Sequence, residues 1–322
     1  MPRPFIRPIA LLALCAASTL AQAQSWPAKP IHFIVPFGPG STDILARMIA
    51  PKASAALGQP IVVENRPGAT GNVGSLQVAK SPADGYTLLF GASASQAVNP
   101  ALYSNIGYDP LKDLAPVILV ASIPNVVIVD PKLPIKSISD LIAAAKVKPD
   151  ALNYSSNGSG SSQHMAAALF ESLTGVKMVH IPYKGSSEGI VAVVRGDANV
   201  MFANLPPAMP LISDNRVRPI AVTSPKRVGL FPNLPTVAEA GVPGFDVSAW
   251  FAIFVPAATP QGIVQRLNKE FGAALADTDI HSKLTTQGYI IHGGTPQDLG
   301  ALLRSETVKW AKVVKESGAK AE

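Results

Sequence analysis

Five loops rich in Gly, Ser, Thr and Asn each follow an apolar, strand-like run and precede a helix-like segment. They are residues 37–43 (FGPGSTD), 66–72 (RPGATGN), 90–96 (FGASASQ), 155–163 (SSNGSGSSQ) and 183–189 (YKGSSEG). The first backbone N–H groups of a helix have no partner inside the helix, and glycine lets a ligand approach them closely. Together the loops predict a polar cleft rich in hydrogen-bond donors, which suits a small anion.

Other chemistries have weaker support in the sequence. The stretch GATGNVG resembles a phosphate loop, but Gly68, Gly71 and Gly74 are three residues apart, which does not fit the GxGxxG spacing of a nucleotide site. The five histidines show no i, i+4 pairing and no neighbouring carboxylate cluster. We therefore expect neither a metal site nor a cofactor.

One pattern would suit an enzyme. Residues 185–189 (GSSEG) match Gly-x-Ser-x-Gly between a predicted strand and a predicted helix, with His281 and His292 further along the chain. Against a serine hydrolase, Ser187 is followed by Glu188, and the surrounding unit is too small for a hydrolase sheet. A hydrolase remains a remote alternative, and we expect no enzymatic activity.

The N-terminus has the features of a secretory signal. Arg3 and Arg7 precede an apolar run of residues 9–20, and Ala21-Gln22-Ala23 has the A-x-A form of a cleavage site. The run is too short to span a bilayer, so residues 1–23 are predicted to be a signal peptide and the mature chain to be periplasmic. Cys15 lies in this run and raises the alternative of a lipoprotein, although Leu14 precedes it where a lipobox needs a small residue.

The composition excludes further classes of function. Removal of residues 1–23 takes away the single cysteine, so disulfides and thiolate chemistry are not expected. The net charge of +6 is spread over scattered Lys and Arg residues with no basic run among aromatics, which argues against a nucleic-acid partner.

The order of strands and helices predicts how the loops are positioned. Strand-like and helix-like segments alternate from residue 31 to 91 and again from 139 to 203, which is typical of an α/β fold with mostly parallel sheets flanked by helices. Between them, residues 114–130 form two β-rich runs that meet at Pro124. We expect a first lobe of residues 24–122 and 223–322 and a second lobe of residues 123–222, with a crevice at the carboxyl ends of the strands.

Over most of its length the chain closely resembles the Bug-type extracytoplasmic solute receptors of tripartite tricarboxylate transporters. The resemblance rests on residues 29–47 (KPIHFIVPFGPGSTDILAR), 58–74 (GQPIVVENRPGATGNVG), 82–90 (PADGYTLLF), 99–103 (NPALY), 152–170 (LNYSSNGSGSSQHMAAALF), 180–186 (HIPYKGS), 234–245 (LPTVAEAGVPGF) and 309–318 (KWAKVVKESG). The first loop of the family usually reads Pro-Gly-Gly, and here Ser41 takes the place of the second glycine.

The resemblance implies a two-lobed type II periplasmic binding fold that closes on one small carboxylated molecule, acts as a monomer and delivers the ligand to membrane permease subunits. A different role for the same closed form is a ligand-dependent co-receptor of a membrane sensor kinase. The implied ligand contacts of the first lobe are Phe37, Gly38, Gly40, Ser41, Thr42, Asp43, Thr70, Gly71, Asn72, Ser93, Ala94 and Ser95. Those of the second lobe are Ser156, Gly158, Ser159, Gly160, Ser161, Ser162, His164, Tyr183, Lys184, Gly185 and Asn204.

Two of these residues have a second interpretation. Asp43 is unusual near an anion, and Thr42 or Asp43 is equally suited to cap the helix that begins there. His164 is predicted in the first turn of its helix, where local hydrogen bonds of a neutral imidazole are as good an explanation as contact with a ligand.

Overall fold

The computed structural model describes residues 26–38, 40–147, 149–183 and 185–321. The predicted signal peptide, with Cys15, and the candidate contact Lys184 lie outside these residues. Among the described helices, none combines the length and the apolar character needed to cross a membrane.

Strands and helices alternate along most of the chain. The strands are β1 (Ile31–Val35), β2 (Ile61–Asn65), β3 (Thr87–Ala92), β4 (Leu114–Val129), β5 (Asn153–Ser156), β6 (Val179–Pro182), β7 (Val200–Asn204), β8 (Arg218–Val222), β9 (Ser248–Pro256) and β10 (Ile290–Gly293). The helices are α1 (Ser41–Leu57), α2 (Asn72–Ala79), α3 (Asn99–Leu102), α4 (Ile138–Val147), α5 (Ser162–Thr174), α6 (Ser186–Arg195), α7 (Leu205–Ser213), α8 (Gln261–Leu275), α9 (Thr278–Thr286) and α10 (Pro296–Ser317). A short 3-10 turn, Ala69–Gly71, precedes α2, and a π-helical turn, Ala94–Val98, precedes α3.

The sheet runs in the order β2-β1-β3-β9-β4-β7-β5-β6, with β8 and β10 also paired to β4. The outer strands are parallel, as the alternation of strands and helices predicts: β1 pairs with β2 and β3, and β5 pairs with β6 and β7. The strands that pair with β4 are antiparallel to it. The mixed α/β architecture confirms the predicted fold class.

Strand β4 connects two halves of the sheet. Its residues up to Pro124 pair with β9, and its residues from Asn125 onward pair with β7 and β8. We call β1, β2, β3, β9, β10 and the start of β4 the first half-sheet, and β5 to β8 with the end of β4 the second half-sheet. The two runs that were expected to meet at Pro124 form one continuous strand of 16 residues. Proline is compatible with this strand because it removes one N–H donor from the ladder but still permits an extended backbone.

The apolar core has contributions from both half-sheets. On the first half-sheet, Phe33 packs against Phe90 of β3 and Phe271 of α8, with ring centroids 5.3 and 5.6 Å away. In the second, Phe170 packs against Phe202 at 5.6 Å. Helix α10 joins the two, because its buried Trp310 belongs to the same core cluster as residues of both half-sheets.

Three elements are not evident in the sequence pattern, namely α7, α9 and β10. Helix α7 contains Pro206, Pro207 and Pro210, residues that normally argue against a helix. Two of them lie in the first turn, where a helix has no N–H bond to lose, so proline is compatible with helix formation there. The helix places Asn204 at its N-cap, at the end of β7.

Candidate functional site

A cavity of about 780 Å³ lies at the carboxyl ends of the strands, between loops of the two half-sheets. Residues after β1, β2 and β3 contribute to one wall, and residues after β5, β6 and β7 contribute to the other. The lining consists of Pro36, Phe37, Gly38, Gly40, Ser41, Thr42, Ile44, Pro67, Gly68, Thr70, Gly71, Ala92, Ser93, Ala94, Asn157, Ser161, Ser162, Gly185, Ser186, Ser187, Glu188, Asn204, Pro206, Pro207, Ala249, Phe251, Gln287 and Tyr289.

Five helices begin at this cavity. The N-cap residues of α1, α2, α5, α6 and α7 all line it, and they are Gly40, Gly71, Ser161, Gly185 and Asn204. The N-terminus of a helix has free N–H donors and the positive end of the helix dipole, equivalent to roughly half an elementary charge. Several such ends directed at one space favour an anionic group.

Charged side chains are rare among the described residues that line the cavity. Among the described lining residues there is no Lys or Arg, and Glu188 is the single charged side chain. Among the described lining residues, the groups that could donate to an anion are therefore backbone N–H groups, hydroxyls and side-chain amides rather than cationic side chains.

The side chain of Asp43 takes part in hydrogen bonds that stabilise the first loop. Its carboxylate is largely buried and accepts hydrogen bonds from Arg47 Nε at 2.9 Å and from Asn65 Nδ2 at 2.9 Å. The same Asn65 amide donates to the carbonyl of Phe37 at 3.0 Å. The interpretation of Thr42 or Asp43 as the helix cap is wrong, since Gly40 is the N-cap and no side chain caps α1. Asp43 does not line the cavity, and Arg47 offsets its charge.

The second loop has an unusual backbone. Ala69 and Thr70 have φ values of 45° and 50°, and Gly71 has φ 93°. A Cβ at Gly71 would lie 2.8 Å from Phe37 Cζ and 3.0 Å from Ser95 Cβ, so glycine is required for both space and conformation. This close approach brings the second loop against the first.

Thr70 also connects the two walls of the cavity. Its hydroxyl lies 3.2 Å from the carbonyl oxygen of Ser159, to which it donates, and 3.3 Å from the hydroxyl of Tyr103. Ser159 belongs to the loop after β5, in the second half-sheet. The two walls therefore touch at one side of the cavity.

In the third loop some polar groups face the cavity and others are buried in the protein interior. Ser93 and Ala94 line the cavity, whereas Ser95 is fully buried. Its Oγ accepts from Gln96 Nε2 at 2.9 Å, and its carbonyl accepts from the Tyr108 hydroxyl at 2.6 Å. Burial raises the pKa of Tyr108 to about 12, so its hydroxyl remains a donor at neutral pH.

The fourth loop is organised by histidines. Ser161 caps α5 by accepting from the backbone N–H of His164, and His164 Nδ1 accepts from the N–H of Gly160 at 3.0 Å. The His164 ring is stacked parallel to that of His180, with 4.3 Å between the centroids. Burial lowers the pKa of His164 to about 3 and that of His180 to about 4, so both rings are neutral at physiological pH.

The fifth loop begins α6. Gly185, Ser186, Ser187 and Glu188 line the cavity, with Ser187 and Glu188 exposed. No hydrogen bond joins Ser187 to a histidine among the described residues, and His292 instead lies 2.8 Å from the hydroxyl of Ser122. Among the described residues, the Gly-x-Ser-x-Gly pattern is therefore not accompanied by the hydrogen-bonded pair of serine and histidine that a hydrolase uses.

Asn204 is oriented by a relay of side-chain amides. Gln163 Nε2 donates to Asn204 Oδ1 at 2.6 Å, and Asn204 Nδ2 donates to Asn125 Oδ1 at 2.8 Å. Gln163 and Asn125 are fully buried behind the lining. The relay fixes the orientation of the Asn204 amide at the cavity wall.

The structure brings part of the predicted contact set together. The predicted residues that line the cavity are Phe37, Gly38, Gly40, Ser41, Thr42, Thr70, Gly71, Ser93, Ala94, Ser161, Ser162, Gly185 and Asn204. Those that lie behind or beside the lining are Asp43, Asn72, Ser95, Ser156, Gly158, Ser159, Gly160, His164 and Tyr183. Most of this second group support the loops, as Asn72 does by accepting from Asn99 Nδ2 at 2.8 Å.

Several lining residues have no signal in the sequence. Phe251 comes from β9, and Gln287 and Tyr289 come from the segment between α9 and β10. Tyr289 is buried, and burial raises its pKa to about 12. These residues follow ordinary apolar or helical patterns, so only their tertiary position reveals them.

Metal ligation has no candidate in the part of the chain that the structure describes, since no three His, Cys, Asp or Glu residues there are grouped suitably.

Comparisons with known proteins place this architecture in a family. The family model for the "Tripartite tricarboxylate transporter family receptor" matches residues 45–319. Protein BugT of Bordetella pertussis is 38% identical over 311 residues, which cover 96% of this chain and 95% of that protein. A protein from the tcbD-tcbE intergenic region of Pseudomonas sp. (strain P51) is 39% identical over 308 residues, covering 95% and 91%.

Solved structures agree. The structure of "R. palustris Rpa4515 with adipate" has a TM-score of 0.85 and 40% identity, covering 92% of this chain and all of the other. "MatC (Rpa3494) from Rhodopseudomonas palustris with bound malate" has a TM-score of 0.81 and 31% identity, covering 90% of this chain and all of the other. The periplasmic binding protein BugD has a TM-score of 0.81 and 30% identity, covering 92% of this chain and all of the other.

The neighbours confirm the periplasmic binding protein fold expected from the sequence. The chain belongs to the tripartite tricarboxylate transporter receptor family, whose members are periplasmic solute receptors and not enzymes.

Proposed function

We propose that this chain captures a small carboxylate-bearing molecule between two lobes and delivers it to the membrane subunits of a tripartite tricarboxylate-type transporter. The observation that carries the proposal is the convergence of five helix N-termini on a cavity without Lys or Arg among its described lining residues. Free N–H groups and helix dipoles bind a carboxylate without a fixed cation.

The ligands of related proteins support this chemistry. Adipate is bound to Rpa4515 and malate to MatC, both of them small dicarboxylates. The cavity of about 780 Å³ is within the range of ordinary ligand sites and leaves room for ordered water around such a molecule.

The proposed lobes are residues 24–122 with 223–322, and residues 123–222. The hinge would lie where the chain crosses between half-sheets. There the Asn125 N–H donates to Thr223 Oγ1 at 2.8 Å, and the Thr223 N–H donates back to the Asn125 carbonyl at 2.9 Å. Adjacent crossings of this kind allow a rigid-body rotation that leaves each lobe intact.

Ligand binding would favour the closed form, because only that form contacts the ligand from both lobes. The closed surface then differs from the open one, which gives the permease subunits a means of recognising the loaded receptor. In this proposal the receptor acts as a periplasmic monomer after residues 1–23 are removed.

The first test is a thermal-shift and calorimetric screen of a panel of small carboxylic acids that includes adipate and L-malate, with the uncharged amide of each acid as its matched control. A bound ligand raises the free energy of unfolding by RT ln(1 + [L]/Kd), and the unfolding temperature rises with it. We expect at least one acid of the panel to bind and its amide to have no effect. An equal response to acid and amide would contradict recognition of a carboxylate.

The second test concerns closure and delivery. Solution scattering with and without the bound acid should show compaction, and tight binding with no change in shape would refute the hinge. Deletion of the gene should abolish uptake of that acid. Loss of acid-induced transcription with normal uptake would instead indicate the co-receptor role.

A further inference from the structure

His164 is deeply buried beside the binding loop of the second half-sheet but does not line the cavity. Its Nδ1 lies 3.0 Å from the backbone nitrogen of Gly160, which donates to it. An imidazole that accepts at Nδ1 carries its proton on Nε2, so the hydrogen bond selects one neutral tautomer.

This hydrogen bond constrains the loop at Gly160, where the backbone has little free space around it. Gly160 has φ 79°, and a Cβ there would lie 2.7 Å from Leu102 Cδ2 and 3.0 Å from Asn99 Oδ1. The loop thus lies between His164 on one side and α3 on the other. Immediately after Gly160, Ser161 and Ser162 line the cavity at the start of α5.

The same contact fixes where the N–H donor of Gly160 points. The Gly160 N–H is used by His164, and the Ser161 N–H donates to the Gly158 carbonyl at 3.2 Å. The backbone donors that this loop offers to a ligand therefore begin at Ser162, the first residue of α5, beside the hydroxyl of Ser161. A loop whose amides are already ordered loses less conformational entropy when it binds.

We propose that His164 is the positioning residue of this binding loop, and that its Nδ1 holds Gly160 so that Ser161 and Ser162 are presented to the carboxylate. The inference rests on the proposed function, since it takes the cavity as the ligand site. It assigns no ligand contact to His164 itself.

Two substitutions separate the hydrogen bond from the ring stack with His180. In His164→Asn the side-chain oxygen is attached to Cγ, as Nδ1 is in histidine, so the variant keeps an acceptor and loses the ring. In His164→Phe the ring that stacks on His180 is kept and the acceptor is lost. The readouts are hydrogen exchange of the Gly160 amide in the ligand-free protein and the affinity for adipate, or for L-malate if adipate does not bind.

We expect faster exchange and an affinity loss of about three- to tenfold for His164→Phe, as is typical of one lost hydrogen bond. His164→Asn should stay within about twofold of the wild type in both measurements. If His164→Phe has no thermal unfolding transition, the smaller His164→Leu takes its place.

Three results would overturn the inference: wild-type exchange in His164→Phe, equal defects in both variants, or faster exchange with unchanged affinity. The first denies the hydrogen bond, the second assigns the effect to packing, and the third removes the loop from the ligand site. If the wild type bound no carboxylate, the proposed function would fail, and the exchange comparison would still decide whether Nδ1 holds the loop.

Discussion

The hydroxyl of Tyr289 donates to the backbone carbonyl of Ser41 at 2.8 Å, across 248 positions of sequence. Ser41 is the first residue of α1, and both residues line the cavity. A residue near the C-terminus thus fixes the loop from which the first helix N-terminus faces the ligand site.

Removing this hydroxyl should loosen the first loop. We expect Tyr289→Phe to weaken binding of the identified acid by about 0.5–1.5 kcal/mol, because the Ser41 carbonyl loses its donor. Calorimetry measures the change. The control is Tyr86→Phe, which removes a hydrogen bond from the Ala28 N–H far from the cavity and should leave affinity unchanged. Equal losses in the two variants would contradict a specific role for Tyr289.

A side chain at Gly71 should damage the site. Gly71→Ala places a Cβ 2.8 Å from Phe37 Cζ at a φ of 93°, so we expect lower affinity and a lower unfolding temperature. Gly262→Ala is the matched control, because a Cβ added at this position in α8 would meet no neighbouring group within 4 Å. That change should stabilise the protein slightly or leave it unchanged. Unaltered binding by Gly71→Ala would show that the close contact of the two loops is dispensable.

The contact between the two walls should contribute to stability. Thr70→Val keeps the shape of the side chain but leaves the Ser159 carbonyl without its donor, so the free energy of unfolding should fall by about 1 kcal/mol. Thr70→Ser keeps the hydroxyl and should lose less. Chemical denaturation compares the two variants, and a larger loss for Thr70→Ser would mean that packing of the methyl group matters more than the hydrogen bond.

The buried histidines should make stability depend on pH. Unfolded histidine binds a proton near its ordinary pKa of 6.5, whereas the native pKa is about 3 for His164 and about 4 for His180. Between pH 6.5 and about 4 the unfolded state therefore holds more protons, and the free energy of unfolding falls as the pH is lowered.

Substitution isolates this effect. His164→Asn should show a shallower loss of stability between pH 6.5 and 4.5 than the wild type, measured by denaturation at each pH. A wild-type slope in His164→Asn would show that His164 does not titrate differently in the folded and unfolded states.

The order of strands, helices and small-residue loops could be predicted from the sequence, because each depends on neighbours a few positions away. The buried runs around β1 and β3, the glycine-rich loops after them and the start of α1 follow from local pattern. These local patterns also carry the family resemblance. Four of the residues that these patterns single out, Gly40, Gly71, Ser161 and Gly185, line the cavity.

The direction in which each loop residue points was decided only by the tertiary structure. Ser95 and His164 occur in the same small-residue loop segments of the sequence as the lining residues. In the structure both side chains are buried, where Ser95 accepts a hydrogen bond from Gln96 and His164 accepts one from the Gly160 N–H. Asp43 likewise binds Arg47 and Asn65 rather than capping its helix. A buried polar group must find a partner wherever the fold supplies one. For Tyr289 and Ser41 that partner lies at the other end of the chain, where local sequence holds no information about it.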